Sequence, residues 1–359
     1  MPDFSTVATV LEGLVESGAE IGAGVSVWQD GHEVVNAVAG TRNAAGDPWQ
    51  LDTLVMTYST AKPFAALAAL TAVADGAIGL DQSIADVWPA YPAHGKGATT
   101  LRHVLSHQAG MYVFPEEALS IDALDTEGLI DSLASAVPLH PPGEGAGEHA
   151  LTYGHLLDGV VRHATGESLT DRFSALAREN GWDLHLTVAE HDLSRVADLD
   201  YLEPGWPESH LGDPTTLMGA VLSRPAGVLD VDLVNSRAWR TGSFPAINLH
   251  ATASALAGFY AHLLDEDGPV ARRLGTDLHR EYTTLQVSGT DLVLGFEIGW
   301  TLGFQRDPTE IGMGGVGGSS AWLAYDKDQS CAYVTRGLKD HDRVDIISDE
   351  LDRLSQPTA

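Results

Sequence analysis

Alternating apolar and polar positions predict strands near both ends of the chain. Residues 23–28 and 33–39 alternate on either side of Asp30-Gly31, a dipeptide typical of tight turns, and so predict a β-hairpin. Strand patterns return late in the chain, at residues 292–300, 320–325 and 331–335. Apolar positions at helical spacing predict two flanking helices, at residues 5–17 and about 344–354.

The central part of the chain has helical periodicity instead. Apolar positions recur at three- and four-residue intervals in five segments, at residues 101–107, 124–136, 151–164, 170–179 and 251–264. Because strands lie at both ends and helices between them, we predict an α/β (α+β) fold whose antiparallel sheet is built from both termini and flanked by helices. Residues 1–75 and 286–359 are predicted to form the sheet region, and residues 76–285 an inserted, mainly helical region.

Charge and composition limit the kinds of molecule that the protein is expected to bind. The 359 residues include 50 acidic and 20 basic side chains, a formal charge of −30, which disfavours binding to nucleic acid or anionic membranes. The single cysteine, Cys331, cannot form an intrachain disulfide. Asp3 and Glu12 stand where a signal peptide needs positive charge and an apolar core, and no apolar run reaches membrane-spanning length. A cytoplasmic protein is therefore expected.

Ser59 and Lys62 are the strongest candidate chemical groups. They precede an alanine-rich apolar run, residues 64–70, that is typical of a buried helix. Side chains three residues apart share one helix face, and a desolvated lysine can accept the proton of a serine to give a nucleophilic alkoxide. A helix N-terminus would also favour an oxyanion near Ser59. The alternative is a capped helix with a solvated lysine, although the chain has only four lysines.

Two further motifs give no cofactor or metal site. Residues 312–317 match G-x-G-x-x-G, but a strand rather than a helix is predicted to follow, so dinucleotide binding is not expected. These glycines instead indicate backbone that passes close to a ligand. His103 and His107 have the spacing of half a zinc site, yet no third ligand stands at a telling distance, which favours packing at a helix end.

Several segments, in order, resemble the serine β-lactamase and penicillin-binding-protein superfamily. They are Ser59-x-x-Lys62 and residues 101–111 (LRHVLSHQAGM), 149–156 (HALTYGHL), 235–240 (NSRAWR), 245–248 (PAIN) and 295–300 (GFEIGW). Within that superfamily the chain is most similar to the class C β-lactamase-like carboxylesterases, known as family VIII esterases. The resemblance extends over residues 23–337 and implies a β-lactamase/transpeptidase-like fold.

The chain departs from this family at two positions of the site. In the family, a tyrosine immediately precedes the His-Ala-Leu-Thr run and shares the role of base with the lysine. In this chain the residue at that position is Glu148. Tyr153, five residues later, is the alternative source of the phenol. A carboxylate beside Lys62 would favour the ammonium form and raise the pKa of Lys62.

The second departure lies in the superfamily's third motif. That motif has Lys or His, any residue, and Gly, whereas this chain has Met313-Gly314-Gly315. The resemblance also places the oxyanion between the N–H groups of Ser59 and Val316. Without a cation at residue 313, a substrate carboxylate would find no partner there, so a neutral small-molecule ester or amide is expected.

The resemblance implies a serine acyl-enzyme hydrolase or acyltransferase. Transfer of the acyl group from Ser59 to water would make the protein a carboxylesterase, and transfer to an amine or alcohol would make it a transacylase of natural-product biosynthesis. A catalytically silent binding protein that retains the fold is the third possibility. Neither a cofactor nor a metal is expected.

Overall fold

A computed structural model describes residues 3–213 and 215–355, and thirteen strands occur in these ranges. They are β1 (Gly22–Gln29), β2 (His32–Gly40), β3 (Val55–Met56), β4 (Leu184–His185), β5 (Asp200–Tyr201), β6 (His250–Ala251), β7 (Val287–Thr290), β8 (Glu297–Trp300), β9 (Gln305–Arg306), β10 (Glu310–Gly314), β11 (Ser320–Ala324), β12 (Gln329–Thr335) and β13 (Gly337–Leu338).

Fourteen α-helices occur in the same described ranges. They are α1 (Ser5–Glu16), α2 (Lys62–Ala74), α3 (Leu101–Leu105), α4 (Thr126–Ser135), α5 (Thr152–Thr165), α6 (Leu169–Asn180), α7 (Trp206–Leu211), α8 (Leu217–Ser223), α9 (Val231–Val234), α10 (Arg237–Thr241), α11 (Ala253–Ala261), α12 (Pro269–Leu274), α13 (Thr276–Thr283) and α14 (Asp342–Ser355). None of these helices is long and apolar enough to cross a lipid bilayer.

One eight-stranded antiparallel sheet joins the two ends of the chain. Its order is β2-β1-β12-β11-β10-β9-β8-β7, so the N-terminal hairpin pairs directly with a C-terminal strand. In that pairing Val25 lies opposite Tyr333. The predicted fold class, a sheet from both termini flanked by helices, is confirmed. The division at residues 75/76 and 285/286 stays a prediction.

The two faces of the sheet are covered by different helices. Helices α1 and α14 pack on one face around a small core that includes Leu11, Val27 and Ile347. Helix α11 packs on the other face and joins a larger core that contains α2. Since α2 begins at Lys62, the candidate lysine lies at the N-terminus of a helix in this larger core.

Helix α2 is buried almost throughout, which explains its composition. Residues 62–72 are all inaccessible to solvent or nearly so, and α5 and α6 pack against the helix. Alanines let the neighbouring helices approach closely, while Phe64 fills the space between Phe173 and Phe259. A helix that is apolar on all sides must lie in the core, and this core holds its N-terminus rigidly.

Several predicted elements differ from the observed ones by a few residues, and two of the differences have a clear local cause. The strand predicted at residues 292–300 begins only at Glu297, because residues 291–295 form a turn whose Gly295 N–H donates to the Asp291 carbonyl at 2.9 Å. The helix predicted at residues 251–264 begins at Ala253, because Thr252 caps it and the preceding residues pair as β6.

Candidate active site

Ser59 lies at the start of a helical turn that is set up by a strained residue. Tyr58 has φ 51° and ψ −126°, a conformation rare for a bulky side chain, and its hydroxyl donates to the Val228 carbonyl at 3.2 Å. The 3₁₀ turn Ser59–Ala61 then leads directly into α2. Because Ser59 is the first residue of the turn, its N–H has no acceptor within the helix.

Lys62 contacts both Ser59 and Glu148. Its Nζ donates to Ser59 Oγ at 2.7 Å and lies 3.0 Å from Glu148 Oε1. The lysine side chain is fully buried, and burial lowers its pKa below the ordinary value, although the Glu148 carboxylate opposes that shift. The Glu148 carboxylate raises the pKa of Lys62, as expected, but desolvation is the larger effect and the net shift is downward.

Glu148 reaches this contact from the loop that precedes α5. Only 8% of the residue is exposed, and its backbone N–H donates to Asp291 Oδ1 at 3.2 Å. The structure thus brings together three of the residues singled out in the sequence, Ser59, Lys62 and Glu148.

The hydroxyl of Tyr153 is hydrogen-bonded to a backbone carbonyl rather than to Ser59 or Lys62. Its hydroxyl donates to the Leu105 carbonyl at 3.1 Å, and its ring stacks on His107 with ring centroids 4.7 Å apart. Burial raises the pKa of the phenol well above its ordinary value, so it is a poor candidate for a base. Within the described residues it makes no hydrogen bond to Ser59 or Lys62.

The third motif runs alongside the nucleophile turn. Met313 and Gly314 end strand β10, and Gly315 comes next. Gly315 packs against the backbone just before the Ser59 turn, so closely that a Cβ at this residue would lie 2.1 Å from the Thr57 carbonyl oxygen. The same Cβ would be 3.2 Å from the Ser59 nitrogen. The close approach predicted for these glycines is thus made to the chain's own backbone, and Met313 is buried beside it.

Val316 lies in the tight turn that follows Gly315. Two hydrogen bonds close this turn. The Gly315 N–H donates to the Ser319 carbonyl at 2.7 Å, and the Gly318 N–H donates to the Gly315 carbonyl at 3.1 Å. Among the described residues the Val316 N–H donates to no acceptor. Strand β11 follows this turn, as predicted, so the segment lacks the helix that a dinucleotide-binding turn requires.

His103 and His107 do not form a site together. His103 Nδ1 accepts from the Thr100 N–H at 3.2 Å in a capping box, and His107 Nδ1 accepts from the His149 N–H at 3.0 Å. No three His, Cys, Asp or Glu side chains in residues 3–213 and 215–355 are grouped so that they could hold a metal ion.

Three residues that support the site were given no role in the sequence analysis, although His149 and Trp300 lie in segments that resemble the family. His149 is fully buried, and burial lowers its pKa to about 3, so it is a neutral ring at physiological pH. Asp291 and Trp300 are also buried, and they are hydrogen-bonded to each other at 3.0 Å. His149 stands next to Glu148 in the sequence and could have been considered for that reason, but nothing in the sequence distinguishes Asp291.

Comparison with known proteins identifies the family. The model of the beta-lactamase family matches residues 7–351, and the chain belongs to that family. The esterase/beta-lactamase LipL of Mycobacterium tuberculosis is 30% identical over 279 residues, which cover 77% of this chain and 60% of LipL. The chain thus spans less than two thirds of the length of that relative.

Two solved structures match over almost the whole chain. A penicillin-binding protein homologue from Caulobacter crescentus is 30% identical, has a TM-score of 0.80, and is matched over 96% of both chains. A family VIII carboxylesterase is 25% identical, has a TM-score of 0.82, and is matched over 99% of this chain and 98% of its own. The β-lactamase/transpeptidase-like fold expected from the sequence is confirmed.

Proposed function

We propose that the chain is a serine acyl-enzyme hydrolase of the carboxylesterase type, with Ser59 as the nucleophile. The observation that carries this proposal is the continuous contact from Ser59 Oγ through Lys62 Nζ to Glu148 Oε1 at the N-terminus of a buried helix. A nucleophile in hydrogen-bond contact with a base, which a third group orients, is the arrangement that activates serine. The esterase names of LipL and of the family VIII structure support the same class.

In the proposed acylation step, Ser59 Oγ attacks the substrate carbonyl carbon while its proton moves to the amine form of Lys62. The oxyanion lies between the N–H groups of Ser59 and Val316. Lys62, assisted by Glu148, then gives the proton to the leaving oxygen as the ester C–O bond breaks. In deacylation, water attacks the acyl-enzyme and loses a proton to the same relay, and Ser59 regains its proton as the carboxylic acid leaves.

The proposed substrate is a neutral small-molecule ester or amide. The position at which the superfamily has Lys or His is occupied by Met313, a buried and uncharged side chain. A substrate carboxylate placed there would lose its hydration without gaining a charged partner, which is unfavourable. Esters that carry no charge near the acyl carbon should therefore be turned over faster than matched esters with a carboxylate.

Transfer of the acyl group to an amine or alcohol is the second candidate. The Lys62–Glu148 contact supplies two groups that can exchange protons, and an attacking amine or alcohol must lose one proton as it takes the acyl group. Product analysis of one ester with and without an added amine distinguishes the two candidates. Amide formation that exceeds hydrolysis at millimolar amine would favour the transacylase.

Covalent labelling tests the nucleophile. A fluorophosphonate should add one adduct to the wild-type chain in intact-mass spectrometry, and Ser59→Ala should abolish both the adduct and ester turnover. Ser132→Ala is a matched control, because Ser132 is a buried serine of α4 whose hydroxyl donates to the Leu129 carbonyl at 2.7 Å. It should label and turn over like wild type.

Two outcomes would contradict the proposal. Retention of more than a few per cent of turnover in Ser59→Ala would rule out the covalent mechanism. A wild-type chain that neither labels nor hydrolyses any of a panel of neutral esters would instead support the silent binding protein.

A further inference from the structure

Asp291 is a buried carboxylate with no cation beside it. Only 1% of the residue is exposed, and within the described residues it forms no ion pair. Each hydrogen bond that the structure gives the Asp291 carboxylate comes from an N–H donor. Asp291 Oδ1 accepts from the backbone N–H groups of Val293 and Leu294, each at 2.8 Å, and of Glu148, at 3.2 Å. A buried carboxylate whose two oxygens accept four N–H groups ties together the segments that carry those donors.

One of these donors is the backbone N–H of Glu148 itself. A second link joins the same two segments, because Leu292 N–H donates to the Ala146 carbonyl at 3.0 Å. The turn at residues 291–295 therefore holds the end of the glycine-rich loop, residues 143–147, from which Glu148 projects toward Lys62. Without such links, a segment with three glycines in five residues would have wide conformational freedom.

The other carboxylate oxygen of Asp291 binds Trp300, which connects Asp291 to the residue after Glu148. Asp291 Oδ2 accepts from the Trp300 indole N–H at 3.0 Å, and the indole packs on the His107 ring with centroids 4.1 Å apart. His107 Nδ1 in turn accepts the N–H of His149, the residue after Glu148, at 3.0 Å. Glu148 is thus held on its N-terminal side by Asp291 and on its C-terminal side by His107, and Trp300 connects the two.

We infer that Asp291 is a positioning residue that fixes the Glu148 carboxylate against Lys62. This inference rests on the proposed function, in which Glu148 takes part in the proton relay. In the part of the chain that the structure describes, Asp291 makes no hydrogen bond to Ser59 or Lys62, so its effect on the reaction passes through Glu148. Proton transfer depends steeply on distance and orientation, so a small displacement of Glu148 should slow turnover while ester binding changes little.

Asp291→Asn is the test variant, because it keeps the shape but offers one acceptor oxygen instead of two. Whichever way the amide is placed, either the indole N–H or the three backbone N–H groups lose their acceptor. We expect kcat for a neutral ester to fall roughly 10- to 100-fold, as for a misplaced catalytic group, with KM changed less than about 3-fold.

A double-mutant cycle separates positioning from general damage. If Asp291 acts through Glu148, Asp291→Asn should lower kcat by less than about 3-fold in a Glu148→Gln background. Asp158→Asn is the control for a buried carboxylate in α5 outside the site, because Asp158 is equally buried and accepts the Leu169 N–H at 2.7 Å, although it also pairs with Arg162 at 2.9 Å. It should lower the Tm and leave kcat close to wild type.

The outcomes distinguish this inference from the proposed function. If Glu148→Gln is crippled and Asp291→Asn slows both backgrounds equally, or leaves wild-type turnover unchanged, the Asp291 inference fails while the relay stands. If Glu148→Gln is itself fully active, the relay role of Glu148 fails, and the positioning role of Asp291 fails with it. If Asp291→Asn does not fold, the same cycle with Trp300→Phe, which removes the indole donor and part of the ring that packs on His107, decides between the same outcomes.

Discussion

Lys62 is subject to two opposing influences on its protonation. Complete burial favours the neutral amine, whereas the Glu148 carboxylate at 3.0 Å favours the ammonium. Burial is the stronger influence, so the pKa of Lys62 lies below its ordinary value. This environment suits a base that must take a proton from Ser59 and then return it to a leaving group.

Replacement of Lys62 should separate its basicity from its charge. Lys62→Arg keeps the positive charge, but a guanidinium cannot act as a base at neutral pH, so we expect kcat to fall nearly as far as in Lys62→Ala. Steady-state turnover of one neutral ester measures both variants. Full activity of Lys62→Arg would show that Lys62 contributes only a positive charge.

Glu148 and Tyr153 can be told apart by two single substitutions. Glu148→Gln should lower turnover by roughly 10²–10⁴-fold, the usual range for a lost general acid or base. Tyr153→Phe removes only the hydrogen bond to the Leu105 carbonyl, so it should cost about 1 kcal/mol of stability and leave turnover near wild type. The two variants are assayed side by side on one ester, and the reverse pattern would make Tyr153 the proton carrier.

Site residues that belong to a local sequence motif could be predicted from the sequence. A residue that contacts the site from a distant part of the sequence could not. The spacing of Ser59 and Lys62 and the gap-free run after Glu148 pointed to all three residues that meet in the structure. Asp291 follows no motif, and its contact with Glu148 spans 143 residues of sequence. Both influences on the pKa of Lys62 were predicted, but which of them is larger could not be, because that depends on how deeply the folded chain buries the amine. The catalytic roles of these residues stay predictions.

Strand β10 is the element that places the third motif beside the nucleophile. Its segment was not predicted as a strand, since glycines at residues 312, 314 and 315 interrupt any alternation of apolar and polar positions. The strand forms because β9 and β11 pair with it on both sides. Tertiary pairing thus overrides a weak local preference.

Gly315→Ala should damage the site through the backbone. Its Cβ would lie 2.1 Å from the Thr57 carbonyl oxygen, so the segment after β10 must move away from the nucleophile turn. We expect turnover to fall at least 10-fold, since the proposed oxyanion N–H groups would separate. Gly13→Ala in α1 is the control, because a Cβ there meets no atom within 4 Å. Equal turnover of both variants would show that this close approach is not needed for activity.

At the scale of the whole molecule, we expect buried histidines to make the fold sensitive to acid. His155 packs edge-on against Phe114 and Phe244, and burial lowers its pKa to about 3 from a usual 6.5. Between these values the unfolded chain binds a proton that the folded chain does not. The stability due to a neutral His155 is therefore complete above pH 6.5 and is lost as the pH falls toward 3.

Substitution of His155 by Phe should remove this part of the acid sensitivity. Below pH 6.5, the free energy of unfolding of wild type should fall relative to that of His155→Phe by up to about 1.4 kcal/mol per pH unit. Urea unfolding of both proteins at pH 7.5, 6.0 and 5.0 measures the difference. Parallel losses of stability in the two proteins would mean that other groups govern acid unfolding.

The pairing of β1 with β12 has a consequence for how the protein is made. Val25 cannot pair until Tyr333, 308 residues later, has been synthesised, and the Ser59 turn cannot pack against Gly315 until that residue has been synthesised. A ribosome therefore releases the N-terminal hairpin and the apolar α2 long before their partners exist, and contacts so distant in sequence form slowly. Nascent chains should engage chaperones during most of translation, and the proposed esterase activity should arise only once β12 has left the exit tunnel.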